Sequence, residues 1–251
     1  MSLKIIGIGA GEEKGKVVGS IAGGSVSSRI MVYTTPEKGE ECSFQGLAVR
    51  ESHDPGLALV EDLAEGRIDA AIRGTLPANT TLIALKRTFG VDHLERAALL
   101  ETEDHHRFFL APVGVDEGWA ITEKVTLALK ARELAKKFSL PTKIGILSGG
   151  RMGDLGRHRN VDRSLADAEL VARLSGGVHY EILIEDAIRE CGVIIAPDGI
   201  SGNFIFRTLT FLGSGHGHGA PVMNIDKIFI DTSRATPHYA NAIRLAECLL
   251  K

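Results

Sequence analysis

A chain of 251 residues can form one large α/β core or two smaller ones, because single cores stop growing near ~250–300 residues. Its 44% apolar and 24% charged content is ordinary for a globular enzyme, and a net charge of −3 argues against a nucleic-acid binder, which needs clustered Lys and Arg. No apolar run reaches the ~18 residues of a membrane span, no signal-peptide layout opens the chain, and Cys42, Cys191 and Cys248 lack C-x-x-C spacing, so a soluble, cytoplasmic protein with small core-filling cysteines is expected.

Residues 4–8 predict a first strand, running into Gly7-Ile8-Gly9-Ala10-Gly11. A dinucleotide fingerprint would need glycine where Glu12 stands, and Glu12 and Glu13 would repel a pyrophosphate. An S-adenosylmethionine loop normally follows an acidic residue, whereas Lys4-Ile5-Ile6 precede this one. A tight strand-to-helix turn is the plainer reading. Further strands are predicted at 30–33, 68–72, 108–113, 144–147, 193–196 and 228–230, several of them continuously apolar, as strands covered on both faces are. Between them lie helical periods. Leu127, Ala131, Leu134 and Phe138 make one apolar face, and Ile205, Leu209 and Leu212 make another after an opening at Gly202-Asn203. The last helix is predicted to start at Thr236-Pro237 and to bury Tyr239, Ile243, Ala246 and Leu250. Such alternation specifies α/β with a parallel-rich sheet.

Chemistry-bearing residues fall where strands end. Arg73 follows an apolar strand and precedes Gly74, a usual place for a ligand-facing side chain. Asp198 and Asn203 flank a strand-end loop and serve equally as turn and cap residues. Ser148-Gly149-Gly150-Arg151 opens a polar loop that a nucleotide or bulk solvent could face. Thr232-Ser233-Arg234 ends the last strand, where a hydroxyl and a planar, always-charged fork suit a phosphate or acyl-phosphate oxygen. The stretch from Gly213 to Gly219 carries His216 and His218, but two histidines do not complete a metal shell, and a flexible connection is the default.

These blocks in this order resemble the phosphate acetyl/butyryltransferase superfamily. The matching features are Asp198 to Asn203 as D-x-x-x-G-N, Leu212 to Pro221 as the glycine-rich stretch, and Ser233-Arg234 as the strand-ending S-R. Ile144 to Ser148, Asp162 to Leu174 and Arg67 to Gly74 also fit. Within the superfamily, the short chain and Gly7 to Gly11 look most like the methanogenesis marker proteins called MtxX, which carry a methyltransferase label.

The resemblance implies a two-domain α/β/α sandwich of the phosphate acetyltransferase and isocitrate dehydrogenase-like type, with mostly parallel sheets and an interdomain cleft. It implies domains of 1–104 plus 228–251 and 105–227, and a homodimer. By the same resemblance Ser233, Arg234 and Asp198 would be catalytic, while Arg73, Arg96, Ser148, Asn203 and Thr232 would bind substrate. Arg87 is a weaker candidate of that kind. No metal and no firm cofactor follow, and the partner is a small anionic molecule, with CoA or phosphate as candidate substrates.

One departure stands out. The acetyltransferases place an Asp just beyond the S-R pair to take the thiol proton, whereas this chain has no carboxylate there until Glu247. A general base contributes ~10²–10⁴-fold. His238 could substitute, or the base comes from elsewhere. Four readings therefore stay open: acyl or phosphate group transfer, the MtxX role in methanogen metabolism, an NAD- and metal-dependent enzyme like the related 4-hydroxythreonine-phosphate dehydrogenases, and a non-catalytic ligand-binding homologue.

Overall fold

The computed structural model describes residues 3–22, 27–36, 44 and 46–251, so Cys42 lies outside the described residues. In chain order the elements are β1 (Ile5–Ala10), α1 (Lys14–Ala22), β2 (Arg29–Thr34), β3 (Ala48–Glu51), α2 (Pro55–Ala64), β4 (Ala70–Ile72), α3 (Ala78–Phe89), β5 (Ala98–Glu101) and β6 (Arg107–Ala111). There follow α4 (Ile121–Lys137), β7 (Ile144–Ile146), α5 (Arg159–Ser175), β8 (Val178–His179), α6 (Ile184–Glu190), β9 (Val193–Ile195), α7 (Gly199–Arg207), β10 (His216–Pro221), β11 (Ile228–Asp231) and α8 (Ala240–Leu249). Among the described residues no helix is long and apolar enough to cross a membrane.

The chain packs as two compact units, Met1–Asp92 with His218–Lys251, and His93–Gly217. The crossing points at 92/93 and 217/218 compare with 104/105 and 227/228 expected from the sequence.

In the first unit β3, β2, β1, β4 and β11 run parallel in that order, and β10 joins β11 antiparallel through Ala220 and Pro221. Residues 6–10 of β1 are buried without a break, because α1 and α2 pack on β1 and α2 and α8 pack on the neighbouring β4. The Asp54 carboxylate accepts the Leu57 N–H at 2.9 Å, which together with Pro55 fixes the start of α2. In the second unit β6, β9, β7 and β8 run parallel, with β5 antiparallel to β6. Helix α4 packs on β6 and β9, α5 on β7 and β8, and α7 on β6. Glu123 starts α4 by accepting the Trp119 N–H at 2.9 Å, and Gly176 ends α5 at φ 70°.

Several expectations need correction. Helix α7 starts at Gly199, capped by Asp198, so Gly202-Asn203 lies inside it; its continuation, a π-helical turn at Thr208–Leu212, leaves Leu212 86% exposed. The buried side of α4 runs through Lys124, Leu127, Ala128, Ala131 and Ala135, leaving Leu134 and Phe138 half-buried. Helix α8 starts at Ala240, so Thr236-Pro237 is loop; Tyr239, Ile243 and Ala246 are buried and Leu250 is half-buried. The glycine–histidine stretch forms β10 rather than a loose connection. Cys191 is buried as expected, whereas Cys248 is exposed.

Candidate functional site

At the carboxyl ends of β1, β4 and β11 the first unit is laced together by backbone and side-chain bonds. Gly74 turns at φ 60° and presses so close to Gly9 that an added Cβ would lie 2.0 Å from the Gly9 carbonyl oxygen, which only glycine permits. Thr75 accepts the Gly11 N–H at 2.8 Å, and the Thr232 hydroxyl donates to the Gly74 carbonyl at 3.1 Å. Arg73 is 4% exposed and turned inward. Its Nε donates to Asp231 at 2.5 Å, Nη1 to the Leu76 carbonyl at 2.7 Å, and Nη2 to the Thr232 carbonyl. The guanidinium thus ties the end of β4 to the end of β11.

Beyond Thr232 the chain comes to the surface. Ser233 is half-buried and its Oγ accepts the Ala235 N–H at 3.2 Å, while the buried Tyr239 hydroxyl donates to the Ser233 carbonyl at 3.2 Å. Burial pushes the Tyr239 phenol up to about 12, so it stays a donor. Arg234 is half-exposed, with Nη1 3.8 Å from a carboxylate oxygen of Glu12. Lys16 lies alongside, 2.7 Å from Glu13 and 3.4 Å from the Arg234 carbonyl. Ser233 and Arg234 therefore sit together beside Glu12 and Glu13 of the first strand-to-helix turn and Lys16 at the start of α1, a neighbourhood absent from the candidates above. Because α8 begins only at Ala240, its N-terminus does not start at Thr236, and the exposed His238 precedes the helix. Glu247 is occupied elsewhere, accepting the N–H groups of Ser27 and Ser28 at 2.7 and 2.9 Å.

The second unit offers a comparable edge. Strands β6, β9 and β7 end side by side, as the Ala196 N–H bond to Ala111 and the Leu147 N–H bond to Ile195 show, both 2.8 Å. Such carboxyl ends are where open α/β sheets receive ligands. Asp198 caps α7 by accepting the Ser201 N–H at 2.8 Å, and Asn203 donates to the Val113 carbonyl at 3.1 Å. Helix α7 lies so close to the 112–118 turn that a Cβ on Gly199 would meet the Gly114 carbonyl at 1.6 Å. Arg96, inside this unit, is nearly buried and donates through Nε to Glu117 at 2.6 Å, and Glu117 also accepts the Gly114 N–H at 3.0 Å. Burial raises the Glu117 carboxyl above the usual range, with Arg96 pulling the other way.

Ser148 follows β7 and is buried. Its Oγ lies 2.8 Å from Nε2 of His179, a residue with no earlier place among the candidates. Arg87 is exposed in the last turn of α3. Among the described residues no group of three or more His, Cys, Asp or Glu side chains comes together to hold a metal. The structure thus gathers Arg73, Thr232, Ser233 and Arg234 in one unit, and Arg96, Ser148, Asp198 and Asn203 in the other.

No protein-family profile matches the chain. Solved structures place its fold: a branched-chain phosphotransacylase from Enterococcus faecalis is similar with a TM-score of 0.74 at 16% identity, covering 99% of this chain and 100% of that one. A phosphotransacetylase from Streptococcus pyogenes is similar with a TM-score of 0.71 at 17% identity, covering 99% and 95%. The fold is thus the α/β fold of the phosphotransacylases. Sequence narrows this further. A Methanosarcina acetivorans protein described as "Putative methyltransferase mtx subunit X" is 50% identical over 208 residues, 81% of this chain and 74% of its own length. The chain belongs to the MtxX family.

Proposed function

We propose that this chain is a group transferase whose ligand carries a phosphate or an activated acyl group. The carrying observation is Ser233-Arg234, a half-buried hydroxyl and a half-exposed guanidinium directly after β11, on a phosphotransacylase fold. Arg234 supplies charge to a phosphoryl or acyl oxygen, and Ser233 supplies a hydrogen bond. Arg73 braces this edge by fixing Asp231 and Thr232. Asp198, Asn203, Arg96 and Ser148 belong to the proposal as ligand-facing groups of the second unit. A homodimer is part of the same proposal.

Thermal melting with phosphate, CoA and acetyl-CoA tests it, together with an assay for acetyl phosphate formation. Phosphate or CoA should raise the melting temperature, and Arg234→Ala should weaken that rise. Unchanged melting with every anion, and no acetyl transfer, would overturn the reading.

A second reading is methyl transfer in methanogen metabolism, favoured by the description of a relative at 50% identity. Passage of a labelled methyl group to a thiol or corrinoid acceptor, with no acyl transfer, would select it.

A further inference from the structure

A chain of three side chains in the second unit has no part in the Ser233-Arg234 edge. Strand β8 lies parallel to β7 with His179 opposite Ile146, which sets the imidazole beside Ser148, two residues further on. His179 Nε2 is 2.8 Å from Ser148 Oγ, and His179 Nδ1 is 2.8 Å from Oε1 of Glu169 on α5. Ser148 is 2% exposed and the His179 side chain 5%, whereas Glu169 reaches solvent at 58%.

The polarity of this relay follows from its inventory of donors. An ionised Glu169 only accepts, so His179 directs its Nδ1–H at it and presents the Nε2 lone pair to Ser148. The serine hydroxyl has one hydrogen: as placed it donates to the Gly150 carbonyl at 2.9 Å, and a turn about its own C–O bond brings that hydrogen to the imidazole 2.8 Å away. Carboxylate, imidazole and hydroxyl in that order are what an attacking serine requires. The Gly149 N–H is taken by Ser164 Oγ at 2.8 Å, while the Gly150 N–H makes no hydrogen bond among the described residues.

We propose that Ser148 is a nucleophile, with His179 as its base and Glu169 as the group that orients His179, and that it accepts an acyl group from a thioester or acyl phosphate. The choice of donor rests on the transferase reading above. Ser148 Oγ attacks the carbonyl carbon and its proton passes to His179 Nε2. The bond from that carbon to thiolate or phosphate breaks, and the leaving group departs with the proton from His179. An acceptor phosphate, thiol or water then gives a proton to His179, attacks the serine ester and restores Ser148.

Intact-mass and peptide-mapping measurements on the full chain test this, using p-nitrophenyl acetate and, separately, a fluorophosphonate probe. One adduct per chain should form on Ser148, be absent in Ser148→Ala, and form ~10²-fold or more slowly in His179→Ala, with recovery on adding imidazole. His179→Gln serves where the alanine variant does not fold, and circular dichroism reports folding in each. An unlabelled Ser148 in folded protein, or labelling indifferent to residue 179, would overturn the proposal. Neither probe is an anion or a CoA ester, so the outcome is separate from the melting test: failure there counts against the transferase reading, and failure here against the serine.

Discussion

At the ends of β4 and β11 a buried guanidinium, Arg73, meets a carboxylate and two carbonyls of its own unit, whereas at the end of β6 the nearly buried Arg96 meets a carboxylate, Glu117, more deeply buried than itself. The carboxylate that pairs with Arg73 keeps some access to water, since Asp231 is 13% exposed. Glu117, at 2%, has almost none, and its proton affinity rises accordingly. The arginine–carboxylate pair thus braces one unit, while in the other burial works against the charge of its carboxylate. Depth of the carboxylate, more than the arginine, makes the difference.

Arg73→Ala should break the first edge most severely. It leaves Asp231 and two carbonyls short of a donor, and a loss of ~3–5 kcal/mol in urea unfolding is expected, as for buried pairs deprived of one member. A loss under 1 kcal/mol would mean that the brace is redundant.

The second edge should differ in the pH dependence of its stability. Because folding raises the Glu117 pKa, the native chain holds that proton more tightly than the unfolded one. Its contribution is full below the unfolded pKa and is lost as pH rises through the folded value. Glu117→Gln should flatten that part of the stability profile, whatever its overall level, and an unaltered slope would remove Glu117 as its source. Asp198→Ala removes the cap of α7 and should cost ~0.5–2 kcal/mol, readable as earlier amide exchange in α7. Arg234→Ala should change stability least, by no more than about 0.5 kcal/mol, since its side chain is half-exposed and its Glu12 contact is long. A large loss there would place Arg234 with Arg73 as a structural group.

Strands with unbroken apolar runs, β1 and β9 among them, were legible because burial on both faces dictates their composition. β10 was not, since four residues of His-Gly-His-Gly carry no strand signature. Likewise β8 has two residues and β3 four, too few for a period to show. Helix starts misled for a local reason: Gly202 read as an opening, but Asp198 already caps the helix and Gly202 is needed where α7 passes within a Cβ distance of 1.9 Å from the Pro112 carbonyl. Ser233 and Arg234 were legible as a strand-end pair, yet Glu12 as their neighbour depends on β1, β4 and β11 ending side by side. His179 and Glu169 carry no motif at all, because these residues, ten apart on a strand and the helix before it, meet only after β8 folds back along α5.

Strand β11 lies between β4 and β10, yet 158 residues of chain separate Arg73 from the Asp231 that completes its ion pair. The unit from His93 to Gly217 is one uninterrupted stretch and can be finished while the ribosome is still at work. The other must hold β4 with an open flank until the closing strand emerges, and non-local pairing of this kind is slow. During synthesis, then, the hydrogen-bonding side of β4 that β11 covers stays open until nearly the whole polypeptide has been made.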